Sequence, residues 1–500
     1  MANHLFDAIR AAAAPEAVFI ETAEGRRWTY GDMIRLSGQL AHALARRGVT
    51  PGDRVAVQVE KSPEALMLYL ACLRAGAIYL PLNTAYTLAE LGYFLGDATP
   101  ALVVVDPKVR DSVAEIAGGA VETLDATDGG SLLQLAGAEE ADFSDIERGP
   151  DDLAAILYTS GTTGRSKGAM LTHDNLLSNA LTLRDHWRFT AADRLIHALP
   201  IFHTHGLFVA SNVTLLAGAS MYLLPKFDAD EVLRLMESAT VLMGVPTFYV
   251  RLAQHPGLTR EAAAGMRLFV SGSAPLLAET HRSFSEKTGH AILERYGMTE
   301  TNMNTSNPYD GERVAGTVGF PLPGISLRVT DPESGKPLPD GETGMIEVKG
   351  PNVFKGYWKM PEKTAAEFRA DGFFITGDLG KIDGRGYVHI VGRGKDLVIS
   401  GGYNIYPKEV ETEIDGMAGV VESAVIGVPH PDFGEGVTAV VVRQKGSTLD
   451  EKAVLDGLQD RLARYKQPKR VLFVDDLPRN TMGKVQKNVL RETYADLYKA

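Results

Sequence analysis

The segment TSGTTGRSKG, Thr159–Gly168, follows the apolar run Leu153–Tyr158, and the pair decides how the chain is read. A short apolar run of this length is a buried-strand signal. The loop after it is dense in glycine and hydroxyl side chains and ends on a lysine, Lys167. Glycines let a backbone come close to an anion, amides and hydroxyls donate to it, and the lysine adds positive charge. A Walker loop needs four residues between its glycines and then Gly-Lys-Ser/Thr, which this segment lacks. Taken alone, it also reads as a flexible connector.

Working outward, helix and strand signals alternate on both sides of the loop. Leu36, Leu40 and Leu44 recur at helical spacing in a helix that stops at Arg47-Gly48. Arg54–Val59 reads as a strand, Glu64–Ala75 as a helix, and Ala77–Pro81 and the Val-rich Ala101–Asp106 as strands. The alternation continues to about Leu293, the pattern of an α/β protein with mostly parallel sheets. Ala117–Gly149, rich in Gly, Ala and acids, reads as surface loops. After Thr317, strands such as Ser326–Thr330 and Met345–Lys349 are separated by Pro and Gly turns, an antiparallel texture. From Gly392 a third texture runs through Pro407–Asp415, Val420–Val428, Thr438–Arg443, Glu451–Leu462 and Arg470–Val474, enough for a separate α+β domain. The expected fold is α/β: a large N-terminal domain, residues 1–394, of mixed and parallel sheets with flanking helices and a β-rich subdomain, then a small C-terminal domain, residues 395–500, with the boundary in Gly392–Asp396.

Bulk properties exclude several classes. Five hundred residues exceed what one core supports, and 45% hydrophobic with 23% charged residues is a soluble globular balance. Lys and Arg total 51 against 63 Asp and Glu, a net charge of −12, which argues against a nucleic-acid partner. The single cysteine, Cys72, excludes an internal disulfide, suits a reducing compartment, and in its apolar run reads as a buried inert thiol. The start, MANHLFDAIRAAAAPEA, reads as a short amphipathic helix and not a signal peptide. No apolar run is long enough to span a membrane, so the cytoplasm is the expected compartment and no membrane partner is expected.

Eight further segments follow one another along the chain: WTYGDM (Trp28–Met33), LRAGAIYLPLN (Leu73–Asn83), LPIFHTHG (Leu199–Gly206), SGSAP (Ser271–Pro275), ERYGMTE (Glu294–Glu300), FFITGDLG (Phe373–Gly380), GRGKDLVISGGYNIYP (Gly392–Pro407) and PRNTMGKVQK (Pro478–Lys487). With the glycine-rich loop, their order and spacing resemble the adenylate-forming superfamily of acyl-CoA synthetases, peptide-synthetase adenylation domains and luciferases. The resemblance covers essentially the whole chain. One departure is Ser166, where many members carry proline.

What the resemblance implies is an ATP-dependent acid–CoA ligase, with ATP, Mg2+ and coenzyme A as cofactor and co-substrates. Thr159, Ser160, Gly161, Thr162, Thr163, Gly164 and Lys167 would cradle phosphates. Tyr296, with Gly297 and Met298, would stack the adenine against a strand carrying Ser273, Ala274 and Pro275. Asp378 would accept both ribose hydroxyls, since a carboxylate has two oxygens for a vicinal diol, with Arg393 nearby. Thr299 would meet the α-phosphate, and Glu300 would hold Mg2+. Lys484 would bridge the acid carboxylate and the nucleotide, where two anions approach one another. His203 would gate the acid pocket; with His205 it has no third ligand at metal spacing. The C-terminal domain would be mobile, turning about Lys395 and presenting Gly401 and Gly402 to the thiol arm of CoA. Read without the resemblance, Thr299-Glu300 is a helix cap, Asp378 a turn aspartate, Lys484 a solvated lysine and Gly401-Gly402 a β-turn.

The acid itself is read from Arg295, where relatives using aromatic or fatty acids commonly have glycine. A guanidinium in a pocket wall is costly unless a second anion meets it, and its planar fork fits a carboxylate. His205 and Ser273 add polar groups there, and Arg282 is a further candidate partner for the anion. The string ERYGMTETNMNTSNPYDGER, Glu294–Arg313, with HTHGLF, resembles malonyl-CoA synthetases. A small dicarboxylic acid is therefore expected, malonate first, with methylmalonate admitted if there is room near Val245 or Met303. The alternatives are a ligase for another small acid, an adenylation enzyme loading a carrier protein, or an Arg295 turned away and paired with an acid of the protein itself.

Overall fold

The computed structural model describes residues 3–127, 129–159, 166–401, 403–459, 461–481 and 483–499. Two large sheets form the body. A nine-stranded sheet runs Phe320–Pro321, Asn302–Ser306, Leu293–Met298, Leu268–Ser271, Val241–Gly244, Arg194–His197, Ser220–Leu223, Val18–Thr22, Arg27–Thr29. Its central strands are parallel, and the strands at its edges are antiparallel. A seven-stranded sheet runs Gly356–Tyr357, Lys167–Thr172, Leu153–Thr159, Ile78–Pro81, Arg54–Gln58, Leu102–Val105, Ala120–Thr123 and is parallel from Leu153–Thr159 onward. Parallel strands are covered on both faces, which is why Leu102–Val105 is apolar at every position.

One continuous core joins the two sheets, with Val55 and Val57 on one side, Met221 and Val270 on the other, and Leu66 to Leu73 between them. Helix Pro63–Arg74 supplies that middle layer. Ser62 caps it by accepting the Ala65 N–H, proline opens it, and every one of its residues is buried. Cys72 is fully buried there, and burial pushes its thiol pKa up. Arg74, 2% exposed, ends the helix inside the protein. Its guanidinium donates to Asp145 at 2.6 Å, to the Ile34 carbonyl at 2.6 Å, to Ser37 at 3.0 Å and to the Phe143 carbonyl at 3.1 Å.

Within the expected loop region 117–149 the structure contains a strand, Ala120–Thr123, and a helix, Ser131–Gly137. The small residues that suggested loops serve packing: Leu132 and Ala136, four apart, enter the core. The later antiparallel region is a four-stranded sheet, Ser326–Thr330, Gly344–Lys349, Phe374–Ile382 and Val388–Arg393. Beyond it, the strands Val398–Ser400, Tyr403–Ile405, Val420–His430, Gly434–Arg443 and Arg470–Val474 form a last sheet. Its two apolar clusters draw only on residues from Val398 onward. The helix expected over Glu451–Leu462 ends at Leu458.

Asp145→Ala removes the carboxylate that meets the buried Arg74 guanidinium. It is expected to destabilise the protein by about 3–5 kcal/mol, measured as a lower urea midpoint of the unfolding transition.

Candidate active site

The site grows from strand Leu293–Met298, the turn at Thr299-Glu300, and the returning strand Asn302–Ser306. The two strands pair with a bulge between Tyr296 and Gly297. A Cβ at Gly297 would stand 1.9 Å from the Asn302 carbonyl oxygen, so only glycine lets the strand return this closely. The bulge fixes where Arg295, Tyr296 and Glu300 sit.

Tyr296 is 9% exposed and donates its hydroxyl to Asp378 at 2.6 Å. Asp378 stands opposite Arg393 in the antiparallel register, and Arg393 Nε reaches its other oxygen at 3.1 Å. The Asp378 charge raises the Arg393 pKa. Lys484, half-buried, faces the same group: burial lowers its pKa, Arg393 lowers it further, and Asp378 and Asp396 oppose the fall. Two cations and two carboxylates thus converge on one end of the cleft.

On the other side of the turn, Tyr357 places its hydroxyl 3.0 Å from Glu300 and 2.6 Å from Glu367. Lys167 Nζ donates to Glu367 at 3.3 Å and lies 4.0 Å from the Tyr357 ring centroid. Glu300 is 6% exposed, and burial raises its carboxyl pKa. A buried carboxylate of this kind is best ionised with a cation beside it. No cluster of three or more His, Cys, Asp or Glu residues suited to a metal occurs among the described residues.

The third part is a polar pocket wall. Arg295 is 4% exposed; burial lowers its pKa to about 9, and its Nε and Nη2 have no hydrogen-bond partner among the described residues. The guanidinium lies over Gly272, where a Cβ would come within 2.4 Å of Cζ. His205 is fully buried; Ser273 Oγ lies 3.2 Å from its Nδ1, and its Nε2 is unpartnered among the described residues. Thr204 Oγ1 and Ser271 Oγ are also buried and have no hydrogen-bond partner among the described residues. Ser273 adopts a left-handed backbone, φ 76°, a strained choice for a residue other than glycine. Burial, with Arg295 and Lys484 nearby, lowers the His203 pKa to about 4; burial and Arg295 push His205 down as well, so both rings are neutral.

His205 opens a π-helical segment, His205–Ser211. Gly206 is required there, since a Cβ would stand 2.1 Å from the Pro200 carbonyl oxygen. Lys61 Nζ lies 2.7 Å from the His197 carbonyl oxygen and 2.9 Å from His197 Nδ1. An amine donor on Nδ1 leaves the ring proton on Nε2, which donates to the Gly206 carbonyl at 2.9 Å. This buried pair supports the segment from behind.

Several expected positions are corrected. Arg282 lies away from the pocket, exposed on helix Ala278–Thr288 and paired with Glu279 at 2.6 Å. Ser273, Ala274 and Pro275 lie in the bend after strand Leu268–Ser271, not on a strand. Asp378 belongs to strand Phe374–Ile382 and not to a turn, and Thr299-Glu300 is a turn between strands, not a helix cap. Thr159 ends one strand, and Lys167, its register partner, begins the next. Lys395 sits in the short turn Gly394–Asp396, its pKa lowered to about 8 by burial and then Arg393. Gly401 follows strand Val398–Ser400 with φ 58°. Ser160, Gly161, Thr162, Thr163, Gly164 and Gly402 lie outside the described residues.

The AMP-binding enzyme family model matches residues 8–358, and the AMP-binding enzyme C-terminal domain matches residues 409–484. A feruloyl-CoA synthase of Amycolatopsis sp is 39% identical over 490 residues, spanning 97% of each chain. A malonate–CoA ligase of Arabidopsis thaliana is 34% identical over 524 residues, 94% of this chain and 85% of that one. The crystal structure of ATP-bound MatB from Rhodopseudomonas palustris superposes with a TM-score of 0.98 at 68% identity, covering 99% of this chain and all of that one.

Glu294, beside Arg295, is 7% exposed and accepts the Gly316 N–H at 3.1 Å. Burial raises its pKa from the usual 4.5 to about 8. Between those values the folded chain holds a proton that the unfolded chain has released, so stability falls as pH rises through this window. Glu294→Gln should stabilise the protein at pH 9 by roughly 5 kcal/mol at most, with the gain vanishing toward pH 4.5. Urea titrations across pH read it directly; a gain independent of pH would contradict the assignment.

Proposed function

We propose that this chain, which belongs to the AMP-binding enzyme family, joins malonate to coenzyme A through an acyl-adenylate, releasing AMP and pyrophosphate. It is an AMP-forming acid–CoA ligase, and ATP and CoA are its co-substrates. The choice of acid rests on one observation: the buried Arg295 guanidinium, whose Nε and Nη2 have no partner among the described residues. A buried charge without a counter-ion costs several kcal/mol, and a distal carboxylate of the acid would offset that. Its oxygens would also accept from the hydroxyls of Thr204 and Ser271 and from a neutral His205 carrying its proton on Nε2. An aliphatic or aromatic tail would leave all these groups unmatched. With one methylene between its carboxyl groups, malonate can present one group to this wall and the other for activation.

In the first half-reaction the free carboxylate of the acid attacks the α-phosphorus, a P–O bond forms and pyrophosphate leaves. Lys484 and Arg393 supply the positive charge that lets the two anions approach. Asp378 would exchange its hydrogen bond from Tyr296 for the ribose hydroxyls, with the Tyr296 ring against the adenine. Lys167 and the loop 160–165 would hold the β- and γ-phosphates. Glu300 would hold Mg2+, which when bound neutralises phosphate charge.

In the second half-reaction the CoA thiolate attacks the acyl carbon, a C–S bond forms and AMP leaves. For this step we take residues 1–394 and 395–500 as the two domains, with Lys395 as the hinge and Gly401-Gly402 beside the thiol arm. His203, neutral, would line the route between acid and thiol.

Acid-dependent pyrophosphate release should favour malonate over acetate and propionate by at least ~10²-fold in kcat/KM, with methylmalonate and succinate compared in the same series. Arg295→Gly should lower malonate kcat/KM by about 10²–10³-fold and leave acetate within a few-fold. Acetate outrunning malonate, or full malonate turnover by the variant, would overturn the assignment.

A further inference from the structure

We infer that Arg479 and Glu422 form a brace that sets the position of Lys484, and that both are positioning residues for the adenylation half-reaction alone. The inference rests on Lys484 acting in adenylation, as proposed above. Lys484 belongs to a tight hairpin in which Arg479 and Val485 form an antiparallel bridge. Within it the Asn480 N–H donates to the Lys484 carbonyl at 3.0 Å, and the Lys484 N–H donates to Asn480 Oδ1 at 2.9 Å. Gly483, just before the lysine, adopts φ 73°, a conformation that favours glycine.

Such a hairpin fixes its own shape but not its direction. Arg479 supplies the direction. Its Nη1 donates to the Gly483 carbonyl at 2.7 Å, while its Nη2 pairs with Glu422. Glu422 lies on strand Val420–His430, which pairs with Gly434–Arg443 in the C-terminal sheet. One guanidinium thus ties the residue before Lys484 to a rigid strand. In front, the hairpin meets the N-terminal part: Asn83 Nδ2 donates to Thr481 Oγ1 at 3.3 Å, and a Cβ on Gly483 would lie 3.2 Å from Thr247.

The brace is contained within the C-terminal sheet and its hairpin, so it moves with Lys484 wherever that part goes. A lysine amine in place of the guanidinium is a single point charge and cannot hold Glu422 and the Gly483 carbonyl in the same fork geometry. Loss of the brace therefore leaves the fold and the thiol-facing segments in place and misplaces one amine. Displacement of a catalytic group by about 1 Å is enough for a 10²-fold loss.

The test separates the half-reactions in the full-length enzyme, using the acid that the wild type turns over fastest and its synthetic adenylate. Arg479→Lys and Arg479→Met should lower acid-dependent ATP–pyrophosphate exchange by about 10²-fold, and Glu422→Gln by about tenfold. Thioester formation from the preformed adenylate and CoA should stay within about twofold, as should exchange-independent properties such as the thermal midpoint within a few degrees. If exchange stays near wild type, or if both half-reactions fall together, the brace is refuted. Lys484→Ala is measured alongside: retained exchange there overturns the role of Lys484 itself, whereas its loss beside active brace variants overturns only the brace.

Discussion

A guanidinium sealed from water, with no ion-pair partner among the described residues, is the constraint around which this site is built. Arg295 sits on strand Leu293–Met298, just past its parallel pairing with Leu268–Ser271, over a glycine that leaves it room, and near groups that are themselves polar and without a partner among the described residues. Its charge also helps keep His203 and His205 neutral, so the wall carries one positive group and several adaptable donors. Folding alone gives that arrangement no return. On the proposed function the cost would be recovered when the acid supplies the missing anion, which would make ligand binding and pocket stability two sides of one interaction.

The end of the cleft proposed for the nucleotide follows the opposite rule. There the charges are already matched: Asp378 against Arg393 and Tyr296, Glu367 against Lys167, with Tyr357 shared between Glu300 and Glu367. Matched groups can exchange protein partners for ribose and phosphate oxygens with small net change, which suits a co-substrate that must enter and leave each cycle. Unmatched groups at the end proposed for the acid would favour discrimination instead. The two ends of one cleft thus divide turnover and selectivity between them.

Much of this was legible in the sequence because the relevant patterns are local. Ser326–Thr330, Pro407–Asp415 and Arg470–Val474 match their expected bounds, since alternation and an opening proline mark strands and helices without reference to the rest of the chain. Region 117–149 was misread because composition conceals a four-residue spacing as short as Leu132–Ala136. In the site, Arg295 and His205 stood out as residues unusual for their motif, and Tyr296 as one that matches it. Thr204, Ser271, Tyr357 and Glu367 did not, because their significance lies in partners, or missing partners, brought together by the fold. Arg282 failed for a related reason: helical spacing in THRSF says nothing about which face of the helix looks at the pocket, and the fold turns it to solvent.

The sealed position of Cys72 has a practical corollary. With the chain's single native thiol fully enclosed, maleimide dyes would find no background target on the folded enzyme. Two surface cysteines, one introduced on each side of Lys395, would give a fluorescence ruler that reads, one molecule at a time, whether the C-terminal part swings during a catalytic cycle.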